Sequence, residues 1–374
     1  MKNNLKFPRV PYAMTVHDSK EITAVVNTLK TSTQMGAKTK EFEKKIAHLY
    51  SKKIGLAVNS GTSALYLAME SFNIKKGSEV ITPALTFATT VGCILKNGLI
   101  PAFVDVDLNT LCINENKIEK MINKRTKAIC IPNLMGNYPN WEKIQEIAKK
   151  NNLLILEDSA DIIGSKYKNK KPGYYSDITI SSFYGMHIIN CAGNGGIICT
   201  NNSKYAKKIS LLRSWGRSSS LFADSENIEN RFNVAIDNIE YDAKFIFEEI
   251  GYNLEPSEIG SAFGLEQYKK LRKIIKEEGK VTKDELEAVN SVIDKRVNNL
   301  EVSESNLQTL GGDQLILELP GEQNPLVASR VLGKTALLEF RTQKEGTSTA
   351  LKTLQLQRLS IKELIEQYSF EENE

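Results

Sequence analysis

The chain has 374 residues, of which 41% are hydrophobic and 25% are charged. That length suits about two or three globular units, and the composition excludes disordered, collagen-like and coiled-coil proteins. No apolar run approaches the roughly 18 residues of a membrane span. The first residues, MKNNLKFPRV, also lack the apolar stretch of a signal peptide. We therefore expect a cytoplasmic protein without a membrane span.

The charge distribution divides the chain into two parts. The formal net charge of +4 gives no reason to expect nucleic acid as a partner. Residues 281–374 nevertheless carry a net charge of −6, whereas residues 1–280 carry +10. All Cys, His and Trp residues also lie in the first 215 residues. We expect one domain over residues 1–274, a junction at 275–282 and a second domain over 283–374.

Short β-branched segments alternate with amphipathic segments from residue 54 onward. The predicted strands are IGLAVNS, EVITP, IPAFVDVD, AICIPN and LLILEDS. The predicted helices between them are GTSALYLAMESF, FATTVGCILKNG, KIEKMINKR and WEKIQEIAKKNN. This alternation, with nearly all-apolar strands, indicates an α/β fold with a mostly parallel sheet and helices on both faces. Ligands of such folds bind beyond the carboxyl ends of the strands, so functional residues are expected there.

The first strand ends in the segment NSGTS, residues 59–63, which also opens the next helix. Glycine allows close approach of the backbone, and the N–H groups of a first helical turn point outward. Together with the hydroxyls, these donors suit a phosphate group. An ordinary Ser/Thr helix cap explains the segment equally well.

Glu157 and Asp158 end the apolar strand LLILED. A carboxylate at the end of a buried strand is costly unless a cationic or hydrogen-bonding group meets it. A ligand nitrogen would meet that need, and so would a neighbouring loop in a purely structural arrangement. These residues alone leave both interpretations open.

His187 lies in the polar segment SSFYGMH, which is followed by GNGG and the strand IICT. A His in a glycine-rich connection is a better acid–base candidate than one on an apolar helix face, and a structural His is the alternative. The five Cys form no CxxC pair, so we expect reduced, buried thiols and no metal site.

These motifs, in this order, resemble the DegT/DnrJ/StrS family of sugar aminotransferases, which are pyridoxal-phosphate enzymes of fold type I. The resemblance runs from about residue 8 to about residue 273 and includes VNSGTSALYLAM, LLILEDSAD, LRSWGR and IGYNLEPSEIGSAFGLEQYKKL. It implies a fold-type-I large domain that binds pyridoxal or pyridoxamine phosphate and acts on a nucleotide sugar. It also implies a homodimer with a shared active site.

The resemblance implies roles for individual residues as well. Ser60, Gly61 and Thr62 would hold the cofactor phosphate, with Ser182 helping from the third motif. Phe87 would stack on the pyridine ring.

Two further roles follow from the same resemblance. Asp158 would pair with the ring nitrogen and keep it protonated, which makes the ring an electron sink. Asn253, in the segment GYN, would reach the phosphate bound by the neighbouring subunit.

The chain departs from the family at the reactive position. His187 stands where the aminotransferases have the Lys that bonds covalently to the cofactor, and residues 172–203 contain no Lys. His at this position resembles the branch of 3-dehydratases that act on nucleotide-linked 4-keto-6-deoxyhexoses. Asp161, a cofactor-site residue that replaces a usual Gln, and the long insert over residues 218–251 resemble the same branch.

The implied reaction is a dehydration at carbon 3 of the sugar, a step of deoxysugar biosynthesis. Pyridoxamine phosphate would be held without a covalent bond, and His187 would act as the base in place of Lys. Ser218, Ser219 and Ser220 occupy the place of the closely spaced Cys of iron–sulfur dehydratases, so no iron–sulfur cluster is expected. A sugar aminotransferase of the same family is the alternative.

Residues of about 281–341 resemble a different family, the first extracytoplasmic region of the protein-translocation subunit SecD. The predicted elements are helix DELEAVNSVIDKRVNNL, strand QLILELP, helix PLVASRVLG and strand TALLEFR, which make a small α+β module. Residues 348–374 are predicted to form a C-terminal amphipathic helix. A fused or rearranged reading frame is the simplest explanation. An inactive, truncated enzyme joined to a SecD fragment is therefore a second class of hypothesis.

Overall fold

The structure, a computed structural model, describes residues 16–222, 228–232, 234–278, 306–310 and 314–318. The chain forms two compact units, of which the first covers residues 13–272. The second includes Lys273 and residues that follow it. All the predicted site residues belong to the first unit.

Seven strands form one sheet at the centre of the first unit. In chain order they are β1 (Ile54–Val58), β2 (Glu79–Pro83), β3 (Ile100–Val104), β4 (Thr126–Pro132), β5 (Leu154–Asp158), β6 (Ile178–Ser182) and β7 (Gly196–Thr200). Across the sheet the order is β1-β7-β6-β5-β4-β2-β3. Strand β7 runs antiparallel to both neighbours, and the other adjacent pairs are parallel. The predicted mostly parallel sheet is confirmed.

Helices connect and flank these strands. In chain order the described α-helices are α1 (Ser19–Thr31), α2 (Ala37–Leu49), α3 (Gly61–Ser71), α4 (Ala88–Lys96), α5 (Glu115–Met121), α6 (Trp141–Lys150), α7 (Ser203–Arg213), α8 (Ile228–Phe232) and α9 (Glu258–Glu278). Short 3₁₀ helices occupy Leu134–Gly136, Ser218–Leu221 and Ala243–Phe245. The predicted alternation of strands and helices between β1 and β5 is therefore confirmed.

The helices pack on both faces of the sheet because successive strand residues point to opposite faces. On one face, α3, α4 and α7 bury their apolar side chains in one cluster with Val80 and Leu156. On the other face, α5 and α6 cover Ile81 and Ile155. The sheet is thus covered on both sides, as the nearly all-apolar strands predict.

The direction of β7 determines which chain segments meet. Val58 at the end of β1 and Ser182 at the end of β6 both pair with Gly196 at the start of β7. The carboxyl end of β5 lies next to that of β6 at the same edge of the sheet. The NSGTS turn, the strand-end carboxylates and the SSFYGMH segment therefore converge at one edge.

The insert after α7 and the second unit each contain a small hairpin. In the insert, β8 (Val234–Ile236) pairs antiparallel with β9 (Ile239–Tyr241). In the second unit, β10 (Asn306–Leu310) pairs antiparallel with β11 (Gln314–Glu318). Strand β11 confirms the predicted strand QLILELP. The sequence pattern does not predict β10, because NLQTL mixes polar and apolar residues without strict alternation.

The other elements predicted over residues 281–374 lie outside the described residues. In the part of the chain that the structure describes, no helix combines the length and the apolar character needed to cross a bilayer.

Candidate active site

The turn between β1 and α3 contains a helix cap and outward-pointing donors. Ser60 Oγ accepts a hydrogen bond from Ser63 N at 3.1 Å, and Ser63 Oγ donates to Asn59 Oδ1 at 2.6 Å. The helix-cap interpretation is therefore right for Ser60. The cap does not use the N–H groups of Gly61 and Thr62, which lie in the first helical turn where a helix offers no acceptor. An anion would be bound by such donors.

Two glycines bring this turn against the neighbouring strands. A Cβ on Gly61 would lie 2.6 Å from Ser182 Cβ, and a Cβ on Gly196 would lie 2.2 Å from Ser60 O. Only glycine fits these contacts, because a side-chain carbon at such distances would overlap its neighbour. The Ser182 hydroxyl and the start of α3, both predicted to hold phosphate, thereby lie side by side.

Asp158, at the carboxyl end of β5, is only 7% exposed. Its carboxylate accepts hydrogen bonds from Thr90 Oγ1 and from Ala160 N, both at 3.2 Å. Burial raises the pKa of Asp158 to about 6, and the charge of Asp161 acts in the same direction. A cationic ligand group beside Asp158 would stabilise the ionised carboxylate.

Glu157 precedes Asp158 and is also buried, but it is surrounded by protein donors. Its carboxylate accepts hydrogen bonds from Asn133 Nδ2 at 3.0 Å, Ser159 Oγ at 3.0 Å, Gly173 N at 2.9 Å and Ser176 Oγ at 2.9 Å. Burial raises the pKa of Glu157, and these hydrogen bonds oppose the rise. The structural interpretation left open by the sequence thus fits Glu157, whereas the Asp158 carboxylate, bonded to the Thr90 hydroxyl and the Ala160 N–H, has acceptor capacity left for a ligand.

His187 lies beside the segment that follows β5. Its Nδ1 is 3.1 Å from the carbonyl oxygen of Ala160 and 3.9 Å from Asp161 Oδ1. Its ring meets Tyr184 edge to face, with centroids 6.3 Å apart. Asp161 Oδ2 accepts a hydrogen bond from Met135 N at 3.0 Å. The structure therefore brings the predicted acid–base residue next to Asp161, which follows Asp158 closely in the chain.

Phe87 and Asn253 are the two remaining predicted site residues. Phe87 occupies the N-cap position of α4 and is 70% exposed. Asn253 is exposed and bridges to Ser214 through the backbone. The next residue, Leu254, accepts a hydrogen bond from Asn59 N at 3.1 Å. Asn253 therefore lies near the end of β1 of its own chain, with its side chain facing outward from a surface segment.

Sequence reasoning misses two residues of this cluster, Thr90 and Ala160. Thr90 is one of three Thr in TFATT, and nothing in the pattern selects it over the others. Ala160 acts through its backbone N–H and carbonyl, for which an alanine gives no signal. Both contacts depend on the way α4 and the turn after β5 pack at the edge of the sheet.

A cleft of about 1140 Å³ lies elsewhere in the first unit. It is lined by α1, α2, α9 and the segment that follows α7. None of the residues of the His187 and Asp158 cluster lines it. The candidate site is therefore defined by its side-chain chemistry and not by the size of a cavity.

The five Cys are free and buried. Burial raises the pKa values of the Cys191 and Cys199 thiols well above the usual range for cysteine. Within the described ranges, no group of three or more His, Cys, Asp or Glu side chains is placed to hold a metal ion.

The sequence profile of the DegT/DnrJ/EryC1/StrS aminotransferase family matches residues 15–298, more than half of the chain. The chain belongs to this family. A second profile, the N-terminal P1 domain of protein translocase subunit SecDF, matches residues 286–345. Both resemblances predicted from the sequence are confirmed.

Individual relatives sharpen the comparison. The chain is 32% identical over 275 residues to a dTDP-4-dehydro-2,6-dideoxy-D-glucose 3-dehydratase of Saccharopolyspora spinosa. That match covers 71% of this chain and 59% of the relative, so the chain spans about three fifths of the relative's length.

Two solved structures have the same fold. E. coli GDP-4-keto-6-deoxy-D-mannose-3-dehydratase with bound hydrated PLP matches with a TM-score of 0.65 and 25% identity, covering 84% of this chain and 80% of that one. Helicobacter pylori PseC, an aminotransferase involved in the biosynthesis of pseudoaminic acid, matches with a TM-score of 0.62 and 28% identity, covering 80% and 73%. The predicted fold-type-I large domain is confirmed.

Proposed function

We propose that this chain removes the carbon 3 hydroxyl from a nucleotide-linked 4-keto-6-deoxyhexose, with pyridoxal or pyridoxamine phosphate as cofactor. The observation that carries the proposal is His187, placed beside the segment that follows Asp158. The resemblance puts the covalently bonding Lys of the aminotransferases at this position. The 3-dehydratases among the relatives support the same substrate class.

The residues present fit the cofactor at its ring nitrogen. The donors that meet Asp158, the Thr90 hydroxyl and the Ala160 N–H, are neutral. A protonated ring nitrogen would supply the positive charge that the buried carboxylate lacks. When bound there, the cofactor supplies an electron-accepting ring that stabilises negative charge on a neighbouring carbon. The exposed Phe87 ring would stack on that ring.

The residues also fit a phosphate group. The N–H groups of Gly61 and Thr62 begin α3, and the Ser182 hydroxyl lies against Gly61. Ser60 contributes by capping the helix, which holds the turn in place. A helix N-terminus and hydroxyl donors favour a dianionic phosphate over a neutral group.

In this proposal His187 moves the proton. Its side chain is 24% exposed, so a bound ligand reaches the ring while neighbouring residues still hold it. The imidazole accepts a proton at one ring nitrogen during the loss of the sugar hydroxyl. Because imidazole is not a primary amine, His187 does not form the covalent link to the cofactor that a Lys forms.

Two alternatives have specific observations in their favour. The likeness to PseC supports an aminotransferase, but residues 172–203 contain no Lys to serve it. The SecDF match at residues 286–345 supports an inactive fusion. We place dehydration first because His187 retains a proton-transfer group where the amine is lost.

We also propose that the chain acts as a homodimer. Asn253 lies in an exposed segment together with Phe247, which is 56% exposed, Ile250, which is 93% exposed, and Tyr252, which is 47% exposed. Neighbouring exposed apolar side chains of this kind are typical of an interface. A second copy would cover them and place Asn253 near the partner's phosphate site.

Cofactor binding and turnover test the proposal together. The full chain is titrated separately with pyridoxamine phosphate and pyridoxal phosphate. It is then treated with borohydride, and its intact mass is measured by mass spectrometry to detect a covalent adduct. It is then assayed for loss of the carbon 3 hydroxyl from GDP-4-keto-6-deoxymannose and its dTDP-linked counterpart. We expect tight binding without a covalent adduct, followed by dehydration.

Each alternative predicts a different outcome. A reducible adduct on a Lys within the site, or amino transfer to the sugar from glutamate, would establish the aminotransferase. Failure to bind either cofactor would establish the inactive fusion. His187→Lys is the matched variant, and we expect it to gain the adduct and lose dehydration.

A further inference from the structure

The turn after β5 contacts His187 through two consecutive residues. Ala160 O is 3.1 Å from His187 Nδ1, and Asp161 Oδ1 is 3.9 Å from the same nitrogen. A carbonyl oxygen is only an acceptor, so the first contact is a hydrogen bond only when Nδ1 carries a proton. In the neutral ring that leaves Nε2 unprotonated.

We propose that Ala160 and Asp161 are positioning residues for His187: the Ala160 carbonyl selects the Nδ1–H tautomer, which makes Nε2 the base, and the Asp161 carboxylate stabilises the protonated ring. This inference deepens the proposed function and rests on it for its catalytic meaning. Asp161, expected to bind the cofactor, is thereby assigned a different role, that of a partner of His187.

The role of Asp161 is electrostatic, because 3.9 Å is too long for a hydrogen bond. The Nδ1–H group is already used by Ala160, so the carboxylate contributes through its charge. Its second oxygen accepts a hydrogen bond from Met135 N at 3.0 Å. Met135 has a φ of 54°, in the left-handed region, within the turn after β4. The carboxylate is therefore held from a second element and does not depend on His187 for its orientation.

Ala160 also connects the two functional ends of the site. Its N–H donates to Asp158 Oδ1 at 3.2 Å, while its carbonyl meets His187 Nδ1 at 3.1 Å. The residue proposed to face the ring nitrogen and the residue proposed to move the proton are thus held by one alanine. The orientation of the His187 ring relative to Asp158 follows from the conformation of this short segment.

Nitrogen NMR tests the tautomer without any turnover. The chain contains three His, so full-length protein labelled with ¹⁵N-histidine gives few ring signals, and those that vanish in His187→Gln belong to His187. At a pH where the ring is neutral, we expect a pyrrole-type Nδ1 shift and a pyridine-type Nε2 shift. The opposite assignment would overturn the role of Ala160. Unchanged signals of His17 and His48 show that the variant is folded.

Asp161→Asn tests the charge. The substitution keeps the size of the side chain and an oxygen for the Met135 N–H. We expect the Nδ1 signal of His187 to shift in Asp161→Asn, because the charge beside the Nδ1–H group is lost, and the partial exposure of the carboxylate keeps the shift small. Asp105→Asn is the control, because Asp105 is an exposed carboxylate after β3, three strands away from β5. The same shift in both variants, or none in Asp161→Asn, would overturn the role of Asp161.

These readouts separate the inference from the function. If the chain binds no cofactor and turns over no sugar, the proposed function fails while the NMR signals still decide the tautomer and the charge effect. If the enzyme is active and the Nε2–H tautomer is found, the function stands and the inference fails.

Discussion

Glu157 and Asp158 are neighbours in sequence, both buried at the end of β5, yet they occupy different surroundings. Glu157 receives four hydrogen bonds from protein donors. Asp158 receives hydrogen bonds from Thr90 and Ala160, both neutral groups. The contrast arises because adjacent strand residues point to opposite faces of the sheet. Glu157 lies on the face that is covered by the turn around Gly173, and Asp158 lies on the face that meets the start of α4.

The two carboxylates differ in how many protein donors they receive, and the proposed function assigns the ligand to the one with fewer donors. A buried carboxylate that is well supplied with donors is stabilised by the fold and needs no ligand. A buried carboxylate with few donors is unfavourable when it is ionised. A bound cation would stabilise the ionised form. The same strand end therefore surrounds Glu157 with protein donors, and in the proposed function it binds the cofactor through Asp158.

Asp158→Asn gives the largest expected effect. If Asp158 keeps the cofactor ring nitrogen charged, the amide should lower turnover roughly 100- to 1,000-fold, the range for removing one preorganised electrostatic group. Dehydration of the 4-keto sugar is measured at saturating cofactor. Glu157→Gln is the matched control, and an equal loss in both variants would remove the functional distinction between the two acids.

Glu157→Ala should lower the stability of the folded protein and leave cofactor binding nearly unchanged. It removes the acceptor that the buried side chains of Asn133, Ser159 and Ser176 share, and leaves Asn133 Nδ2 only Ser159 Oγ at 3.2 Å and Ser176 Oγ only Gly173 O at 3.4 Å. This loss costs about 3 kcal/mol of unfolding free energy. Urea unfolding of the cofactor-free protein measures the loss. Cofactor affinity of the molecules that remain folded should stay within about three-fold. A variant of wild-type stability would show that the donors find other partners.

The pH dependence of the cofactor-free protein sharpens the contrast. The pKa of Asp158 is raised from 3.8 to about 6 by burial, so the folded state binds this proton more tightly than the unfolded state. The stability contribution is complete below about pH 4 and is lost as the pH rises through 6, by about 3 kcal/mol in all. Asp158→Asn should lack this loss and be more stable than wild type at pH 7. Equal slopes for both proteins between pH 4 and 6 would contradict the prediction.

Thr90→Val should have the smallest effect. The Thr90 side chain is fully buried, and valine has nearly the same shape. The substitution therefore removes mainly the hydrogen bond to Asp158 Oδ2. We expect cofactor affinity to fall about five-fold, corresponding to about 1 kcal/mol for one hydrogen bond. Thr90→Ser should restore it. Equal affinities of the Val and Ser variants would show that Thr90 only fills space.

Much of the fold follows from local pattern. The apolar strand segments and the amphipathic helices between them predict the elements from β1 to α6, because burial on both faces imposes that pattern on the strands. The NSGTS turn, the end of β5 and the SSFYGMH segment are predicted as the functional positions because ligands of such folds bind beyond the carboxyl ends of the strands. The domain limits at 274 and 283 stay predictions, and so do the roles of the site residues.

What the sequence alone determined is the family, the order of strands and helices along the chain from β1 to β5, and the chemical groups at the strand ends. It did not distinguish Glu157 from Asp158, since both are acids in one buried strand and the distinction depends on which donors pack against each face. It gave no sign of Thr90, and none of Ala160, whose contribution comes from backbone atoms. Only the tertiary structure decided the contacts of Thr90 with Asp158 and of His187 with Ala160, because each joins segments far apart in the chain at the carboxyl end of β5.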